Sequence, residues 1–228
     1  MTDGGTDLAP SGEDPVAEIV VPSFLPGAVD ALRRRQHQSG ARVILGIVGA
    51  PGTGKSTLAQ QVADELGRDR CVVVPMDGFH LAHAVLDGTP LAARKGALDT
   101  FDGYGYVSLL RRLRARDEPV VYAPAFQRQL EEPVAGSIAV PASVPFVVSE
   151  GNYLLADREP WHLVREYLDE AWFVDTPQEL RLRRLVDRHV AFGKDPAAAQ
   201  AWAAGPDEAN ARYVETTRAR ADRVVRWD

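Results

Sequence analysis

The chain has 228 residues, of which 45% are hydrophobic and 25% are charged, and this length and composition fit one α/β domain. The net charge of −6 argues against a broad nucleic-acid-binding surface, so we expect no nucleic-acid partner. Cys71 is the only cysteine, which excludes an intrachain disulfide, and no apolar stretch approaches membrane-spanning length, so we expect no membrane partner and a cytoplasmic location.

The first half of the chain alternates helical and strand patterns after a polar start. Residues 1–18 are rich in acids, Gly and Pro, which predicts a disordered tail, and residues 19–228 are expected to form a single domain. Apolar residues at helical spacing and runs of β-branched residues predict the elements that follow. In chain order these are a helix at 24–38, a strand at 42–48, a helix at 55–66 and a strand at 71–75.

The second half opens on residues 77–106, which are rich in Gly, Asp and aromatic residues and have little periodicity. A segment of this length without clear structure inside a compact domain usually carries function. Gly136, near the middle of residues 127–140, favours a hairpin there. The remaining predicted elements are helices at 108–116, 161–168, 178–192, 197–203 and 207–220 and strands at 120–122, 144–148, 171–174 and 224–227. Strands that alternate with helices predict a parallel sheet, with ligands at the carboxyl ends of its strands.

A glycine-rich segment, GAPGTGKST at residues 49–57, lies between a predicted strand and helix and has the pattern G-x-x-x-x-G-K-S. Its glycines allow a tight turn whose backbone N–H groups face an anion at the start of the helix. Lys55 supplies a positive charge for the β- and γ-phosphates, and the Ser56 hydroxyl suits Mg²⁺. The pattern therefore predicts a nucleoside triphosphate site, with ATP and Mg²⁺ as cofactors. The residues expected to bind the nucleotide are Gly49, Ala50, Pro51, Gly52, Thr53, Gly54, Lys55, Ser56 and Thr57.

Two carboxylates follow predicted strands at the same edge of the sheet. Asp77 comes after the strand at 71–75, where it could accept a proton from an attacking hydroxyl, although an Asp before a Gly also suits an ordinary turn. Glu150 comes after the strand at 144–148, where it could hold Mg²⁺, although a solvated Glu at a strand end is the alternative. We expect Asp77 to be the general base and Glu150 to be a metal ligand.

A strongly basic helix is predicted at residues 178–192. Arg184 and Arg188 are four residues apart and share one face, so they could close over the triphosphate as part of a lid at about 178–205. The alternative is a solvated helix in which Glu179 and Asp187 balance the arginines. The residues expected to be catalytic are Lys55, Asp77, Arg184 and Arg188.

Mixed charges and aromatic side chains in the segments RKGALDTFD (94–102) and YAPAFQR (122–128) suit a pocket for a small polar molecule. The residues expected on the acceptor side are Phe79, His80, Lys95, Asp99, Phe101, Tyr104, Arg128 and Asn152. Aromatic side chains could stack on a nucleobase, which favours a nucleoside slightly, but they also pack against sugars and in ordinary cores. The aromatics concerned are Phe79, Phe101, Tyr104 and Tyr106. A lone loop histidine such as His80 is also commonly structural.

Four motifs occur in order along the chain, namely GAPGTGKST at 49–57, DGFH at 77–80, KGALDTFD at 95–102 and SEGNYLL at 149–155. Together with the Arg-rich helix that follows them, these motifs resemble the phosphoribulokinase, uridine kinase and bacterial pantothenate kinase group of P-loop kinases. Within that group the chain is most similar to the bacterial branch described as nucleoside or nucleotide kinases or fructose-transport-system kinases. The resemblance implies a three-layer P-loop NTPase fold, with a mostly parallel central sheet, helices on both faces and a small Arg-rich lid.

The resemblance also implies roles for single residues. Asp77 matches the general base of the group, and Glu150 matches its acidic residue associated with Mg²⁺. The lid motif departs from the group, because its R-R-D order is replaced by D-R-H at residues 187–189. This difference favours Arg188 over Arg184 as the lid arginine.

The resemblance leaves the acceptor open. Asp99, Phe101 and Asp102 match a segment on the acceptor side of the group, but Leu98 stands where Pro is common. The expected function is ATP-dependent transfer of the γ-phosphoryl group to a hydroxyl of a small polar metabolite, with a nucleoside or a sugar favoured. A pantothenate-type kinase and a non-kinase ATP-binding regulator or ATPase are the alternatives. The expected partner is the small-molecule acceptor, and a homodimer is compatible with the sequence.

Overall fold

The computed structural model describes residues 18–20 and 24–227. The predicted tail, residues 1–18, lies outside these residues except for Glu18, which begins the first strand. Within the described part of the chain, no helix combines the length and the apolar composition that crossing a membrane requires.

Two sheets are formed by eight strands within the described residues. The strands are β1 (Glu18–Val20), β2 (Val43–Val48), β3 (Cys71–Pro75), β4 (Val120–Gln127), β5 (Glu132–Pro141), β6 (Phe146–Gly151), β7 (Glu170–Asp175) and β8 (Arg223–Arg226). Six of them form one sheet in the order β1-β8-β7-β2-β6-β3, in which every neighbouring pair is parallel. β4 and β5 form a separate antiparallel pair. The carboxyl ends of β2, β6 and β3 therefore lie side by side at one edge of the main sheet.

Helices and helical turns connect these strands. The α-helices are α1 (Leu25–Ser39), α2 (Lys55–Leu66), α3 (His83–Leu86), α4 (Gly103–Ala115), α5 (Gln178–Ala191), α6 (Pro196–Trp202) and α7 (Glu208–Glu215). A π-helical turn (Ala203–Asp207) joins α6 to α7. Short 3₁₀ helices cover Met76–Phe79, Ala92–Arg94, Leu98–Thr100, Trp161–Tyr167 and Arg218–Arg220.

Helices cover both faces of the main sheet, so the predicted three-layer P-loop α/β fold is confirmed. Leu45 and Ile47 of β2 pack with α1 and α2 on one face. Ile44 and Val48 pack with α4 and α7 on the other face. Successive side chains of a strand alternate between faces, so a strand buried on both sides has the continuous apolar run seen in β2.

Residues 77–106 contain more regular structure than their weak periodicity predicted. Helix α4 begins at Gly103, ahead of the predicted start at residue 108. Asp102 accepts a hydrogen bond from the backbone N–H of Gly105 at 2.8 Å and caps the helix. Glycines at the start of a helix weaken its propensity signal, which explains why the sequence placed this start too late.

The hairpin differs from its prediction in the position of its turn. β4 and β5 are joined at residues 128–131 and not at Gly136, and β4 extends beyond the short strand expected at 120–122. Gly136 has a φ of +69° and lies within β5, where the register shifts opposite Ala123 and Ala125. The left-handed backbone of this glycine therefore serves an irregularity of the ladder instead of a turn. The correct turn places Arg128 at the hairpin tip.

Candidate active site

The carboxyl ends of β2, β3 and β6 open into a cavity of about 340 Å³. The phosphate loop, residues 49–57, contributes Pro51, Lys55 and Ser56 to its lining. One wall comes from the segment after β3 and the turn of the hairpin, and the opposite wall comes from α5 and the segment after it. Segments far apart in the chain thus meet at the sheet edge where the sequence predicted ligands.

The phosphate loop adopts the tight conformation that its glycines predicted. Gly52 and Gly54 have φ angles of +83° and +90°, in the left-handed region that favours glycine. A Cβ on Gly52 would lie 2.6 Å from the backbone oxygen of Arg181, and a Cβ on Gly54 would lie 2.7 Å from Trp227 Nε1. Side chains larger than hydrogen at these two positions would therefore collide with the structure behind the loop.

Lys55 is the first residue of α2 and is buried, with 8% of its surface exposed. Its ammonium donates a hydrogen bond to the backbone oxygen of Ala50 at 3.1 Å, which holds Nζ over the loop. Burial lowers the pKa of Lys55, and the carboxylates of Glu150 and Asp77 oppose that effect. A polyanion bound in the loop would favour the charged ammonium in the same way as these carboxylates do.

Glu150 lies on β6 between β2 and β3, and its exposure of 6% excludes the alternative of a solvated strand-end carboxylate. The Ser56 hydroxyl donates a hydrogen bond to Glu150 Oε1 at 2.9 Å. Burial raises the pKa of Glu150, and the neighbouring Asp77 carboxylate raises it further. Two carboxylates that repel each other beside a serine hydroxyl fit a divalent cation. The described residues contain no cluster of three or more His, Cys, Asp or Glu that could hold a metal ion.

Asp77 lies in the short helix directly after β3 and lines the cavity together with Lys55. Its carboxylate interacts electrostatically with Lys55, Glu150 and Arg188. The turn expected at this position is present, and the side chain faces the cleft from it. Asp77 and the phosphate-loop lysine therefore face one shared cavity.

His80 lies between Asp77 and an aromatic wall. Its Nδ1 is 2.8 Å from the backbone oxygen of Asp77, and because a carbonyl only accepts, Nδ1 carries the proton. Burial lowers the pKa of His80, which favours the neutral ring and leaves Nε2 as an acceptor. The ring centroids of Phe101 and Phe126 lie 4.0 Å and 4.8 Å from that of His80. His80 is thus held in one orientation at the cavity surface.

Several other predicted residues reach the same cavity, namely Lys95, Phe101, Arg128, Asn152 and Arg188. Lys95 Nζ donates a hydrogen bond to the backbone oxygen of Glu131 at 2.8 Å. The guanidinium carbon of Arg128 lies 5.4 Å from the ring centroid of Phe192. Burial, and next the Arg128 guanidinium, lower the pKa of Arg188. Two arginines from different elements therefore face the same space.

Three residues predicted on the acceptor side do not line the cavity, and two of them, Asp99 and Tyr104, are exposed. Asp99 forms an exposed ion pair with Arg94 at 2.7 Å. Tyr104 is 62% exposed, and its hydroxyl donates a hydrogen bond to Glu159 at 2.7 Å. Asp99 belongs to the segment 95–102 that the resemblance placed on the acceptor side, whereas Tyr104 lies in the first turn of α4, and both side chains are exposed. Asp99 and Tyr104 therefore do not join the other predicted acceptor residues at the cavity.

Phe79 and Arg184 are also absent from the cavity lining. Phe79 packs edge-to-face on Tyr106, with ring centroids 5.3 Å apart, and so supports α4. Arg184 has a buried Nη1 with no hydrogen-bond partner among residues 18–20 and 24–227. Of the two lid arginines predicted, only Arg188 faces the cavity, which agrees with the preference drawn from the D-R-H order.

Several cavity residues that follow α5 were not predicted from the sequence. Phe192, Lys194 and Trp202 line the cavity, and Lys194 Nζ lies 4.9 Å from the Trp202 ring centroid. His189 Nε2 lies 2.8 Å from Asp207 Oδ2, and both side chains are largely buried. Asp207 lies beyond the predicted end of the lid at residue 205. The sequence signal that could have identified these cavity residues was the presence of aromatic and basic residues in the segment after α5, where apolar residues show little periodicity.

No family model matches the chain. The chain is 39% identical to the ATP-dependent kinase-like protein notR′ of Aspergillus versicolor over 152 residues, which cover 63% of this chain and 88% of that protein. It is 33% identical to a protein of Schizosaccharomyces pombe that carries the name uridine kinase C227.14, over 174 residues that cover 73% of this chain and 72% of that protein.

The fold and the sequence also match a solved structure. A protein of Silicibacter sp. TM1040 that carries the name fructose transport system kinase has 35% sequence identity and a TM-score of 0.80. The match covers 90% of this chain and 98% of that chain. All three similar proteins have the word kinase in their names, and the phosphate loop described above is the structural feature that ATP use requires.

Proposed function

The chain belongs to the phosphoribulokinase, uridine kinase and bacterial pantothenate kinase group of P-loop kinases, and for this ATP-dependent kinase we propose transfer of the γ-phosphoryl group to a hydroxyl of a small polar metabolite. One observation carries the proposal: Lys55 of the phosphate loop and the Asp77 carboxylate line the same cavity. A site that only bound ATP would not need a carboxylate opposite the triphosphate.

In the proposed reaction, the acceptor oxygen forms a bond to the γ-phosphorus while the bond from that phosphorus to the β–γ bridging oxygen breaks, and ADP leaves. Asp77 takes the proton of the attacking hydroxyl. Lys55 and Arg188 neutralise charge on the phosphoryl oxygens as the transition state forms. Most of the rate enhancement then comes from positioning and electrostatic stabilisation.

Ser56 and Glu150 are the residues that would hold Mg²⁺ in this site. When bound, magnesium supplies positive charge that neutralises the phosphate oxygens. The raised pKa of the buried Glu150, to which Asp77 contributes, supports this placement because a cation would offset that repulsion.

For the acceptor, we propose a sugar-like polyhydroxyl compound or a nucleoside, with a pantothenate-type compound as the alternative. Of the four aromatic residues that favoured a nucleobase, only Phe101 lines the cavity. Phe126, Phe192 and Trp202 line it instead, but a cationic side chain lies over each of these three rings. Because these faces are already covered, a compact sugar-like acceptor is favoured over a stacked nucleobase.

A coupled assay tests the proposal by measuring ADP release from Mg·ATP with and without an acceptor panel of nucleosides, pantothenate, fructose and other sugars. A kinase shows slow ADP release that one acceptor increases, and mass spectrometry detects the phosphorylated product. Lys55→Ala is the control for contaminating activity and should lose the acceptor-dependent rate. ADP release that no acceptor changes would contradict the proposal and indicate an ATPase or an ATP-binding regulator.

A further inference from the structure

The cavity wall around His80 carries positive charge that the proposed phosphoryl transfer does not use. Lys55 and Arg188 serve the triphosphate in the mechanism above. Lys95 and Arg128 line the same cavity but come from other elements, the segment after α3 and the hairpin turn. Both of these cations lower the pKa of His80, so their charges converge on one side of the cavity.

Lys95 is held in place by a network behind it. Glu132 Oε1 lies 2.9 Å from His83 Nδ1, and because a carboxylate only accepts, Nδ1 donates. Lys95 Nζ lies 3.1 Å from Nε2 and 3.2 Å from Nδ1 of the same ring, and Nε2 is the nitrogen left to accept a proton from it. A second ammonium proton is bound by the backbone oxygen of Glu131. Lys95 Nζ also lies 5.5 Å from the centroid of the Phe126 ring, and the carboxylates of Glu132, Glu131 and Asp87 act on its charge. Because this ammonium has three protons and lines the cavity, one proton can turn from the ring face to a ligand.

Arg128 is the second cation of this wall and lines the same cavity. Its guanidinium lies over the ring of Phe192, which faces it from the opposite wall. Neither Arg128 nor Lys95 forms an ion pair with a carboxylate at contact distance among the residues that the structure describes. A planar guanidinium without a carboxylate partner keeps its N–H donors for a carboxylate or a phosphate.

We propose that the acceptor carries an anionic group, a carboxylate or a phosphate ester, that binds between Lys95 and Arg128 beside His80. This inference rests on the proposed function, because it names the class of acceptor for that reaction. The hydroxyl to be phosphorylated would lie toward Asp77, whose backbone oxygen binds the same histidine ring. The cavity volume of about 340 Å³ suits a small acceptor of this kind.

The experiment compares matched pairs of acceptors that differ in one anionic group. The pairs are glycerate and glycerol, pantothenate and pantothenol, ribose phosphate and ribose, and uridine monophosphate and uridine. We expect the charged member of at least one pair to have a kcat/KM about 10- to 100-fold higher than its neutral partner, the range of a charge-assisted hydrogen bond. The carboxylate pairs and the phosphate pairs separate the two sources of the charge.

Variants then connect this preference to the two cations. Lys95→Met and Arg128→Gln should each raise the acceptor KM of the charged member about 10-fold or more, while the neutral member changes less than about threefold. Lys95→Arg should restore part of the preference because it keeps the charge. The matched control is Arg111→Gln, an exposed residue of α4 away from the cavity, which should leave both KM values unchanged.

Three outcomes would overturn the inference while the kinase proposal stands. Neutral members could serve as well as charged ones, Lys95→Met could leave the charge preference intact, or both variants could raise the KM of ATP instead of that of the acceptor. The last result would assign the two cations to the triphosphate.

Calorimetry decides the case in which no pair is phosphorylated. The protein is first loaded with Mg²⁺ and a non-hydrolysable ATP analogue, and the members of each pair are then titrated. Binding of a charged member over its neutral partner, lost in Lys95→Met, would support the anion site and contradict only the proposed reaction. Equal binding of the two members, or no binding of either in every pair, would overturn the anion site.

Discussion

The phosphate end of the cavity and its acceptor end are built in different ways. The phosphate end comprises Lys55, Ser56 and Glu150. The acceptor end, as proposed above, comprises His80, Lys95 and Arg128. The phosphate end takes its shape from nine consecutive residues, 49–57, whose backbone conformation follows from the glycines within them. The acceptor end combines a loop, a hairpin turn and the segment after a helix. One end is therefore encoded locally, and the other exists only after the chain has folded.

Because of this difference, residues at one end of the cavity can be substituted without touching the other end. Replacing a hairpin tip or a loop residue changes the acceptor end but leaves the phosphate loop intact. Asp77 and His80 lie at the boundary, since the same short segment carries the proposed base and the histidine of the acceptor wall. Variants on each side of this boundary therefore test the division directly.

The largest effect is expected for Asp77→Asn. An amide cannot take the proton of the attacking hydroxyl, so kcat should fall about 1,000-fold, within the usual range for loss of a general base. The KM of ATP should change less than about threefold, because the phosphate loop is untouched. Steady-state kinetics with the acceptor identified by the panel measures both values. The melting temperature should not fall, since the substitution removes a carboxylate that repels Glu150.

Asp99→Asn is the matched control for this prediction. The sequence placed both aspartates in the site, but Asp99 lies outside the cavity in an exposed ion pair with Arg94, and such pairs contribute about 1 kcal/mol or less. Its kcat and acceptor KM should stay within about twofold of wild type. Equal losses in the two variants would show that the loop at 94–102 reaches the acceptor after all.

The next effect is expected for Glu150→Gln at the phosphate end. The Mg²⁺ concentration for half-maximal activity should rise about 10- to 100-fold, because an amide lacks the charge that attracts the cation. The measurement is a magnesium titration at fixed ATP concentration. Glu118→Gln is the control, since Glu118 pairs with Arg112 on the surface. An unchanged magnesium requirement in Glu150→Gln would remove this residue from the metal site.

The extent to which the sequence predicted each end follows from the same division. The helix Lys55–Leu66 and the strand Cys71–Pro75 were predicted with the bounds that the structure has, because local patterns determine them. Asp77 and Glu150 could be predicted because each directly follows or ends a buried strand. Local signals thus covered the fold and the phosphate end.

The acceptor end was predicted only in part because its geometry depends on long-range contacts. Asp99 lies in the matching motif and Tyr104 lies just after it in the first turn of α4, yet both side chains are exposed to solvent. Gly136 suggested the hairpin turn, but the turn lies at 128–131, and only that position brings Arg128 to the cavity. Residue type and spacing do not determine which side of a loop faces inward.

A smaller effect, on stability, is expected for Gly52→Ala in the phosphate loop. Its φ of +83° and the 2.6 Å approach to the backbone oxygen of Arg181 leave no room for a Cβ. We expect the free energy of unfolding to fall by about 1 to 3 kcal/mol. Urea unfolding followed by circular dichroism measures it. Gly27→Ala in α1 is the control, because its Cβ would meet nothing within 4 Å, and it should cause no loss. Similar losses at both positions would contradict the packing argument.

The smallest effect is a pH dependence at the acceptor end. Burial lowers the pKa of His80 below its ordinary value of 6.5, so the folded protein resists a proton that the unfolded chain accepts. Wild-type stability should therefore fall as the pH drops below 6.5, by at most about 1.4 kcal/mol per pH unit. His80→Gln should lack this component, so the stability difference between wild type and variant should shrink from pH 7.5 to pH 5.5.

His162→Gln, at an exposed position, is the control and should follow wild type. A constant difference for His80→Gln would mean that this ring accepts its proton as readily in the folded protein as in the unfolded chain, and the neutral acceptor assigned to Nε2 would lose its basis.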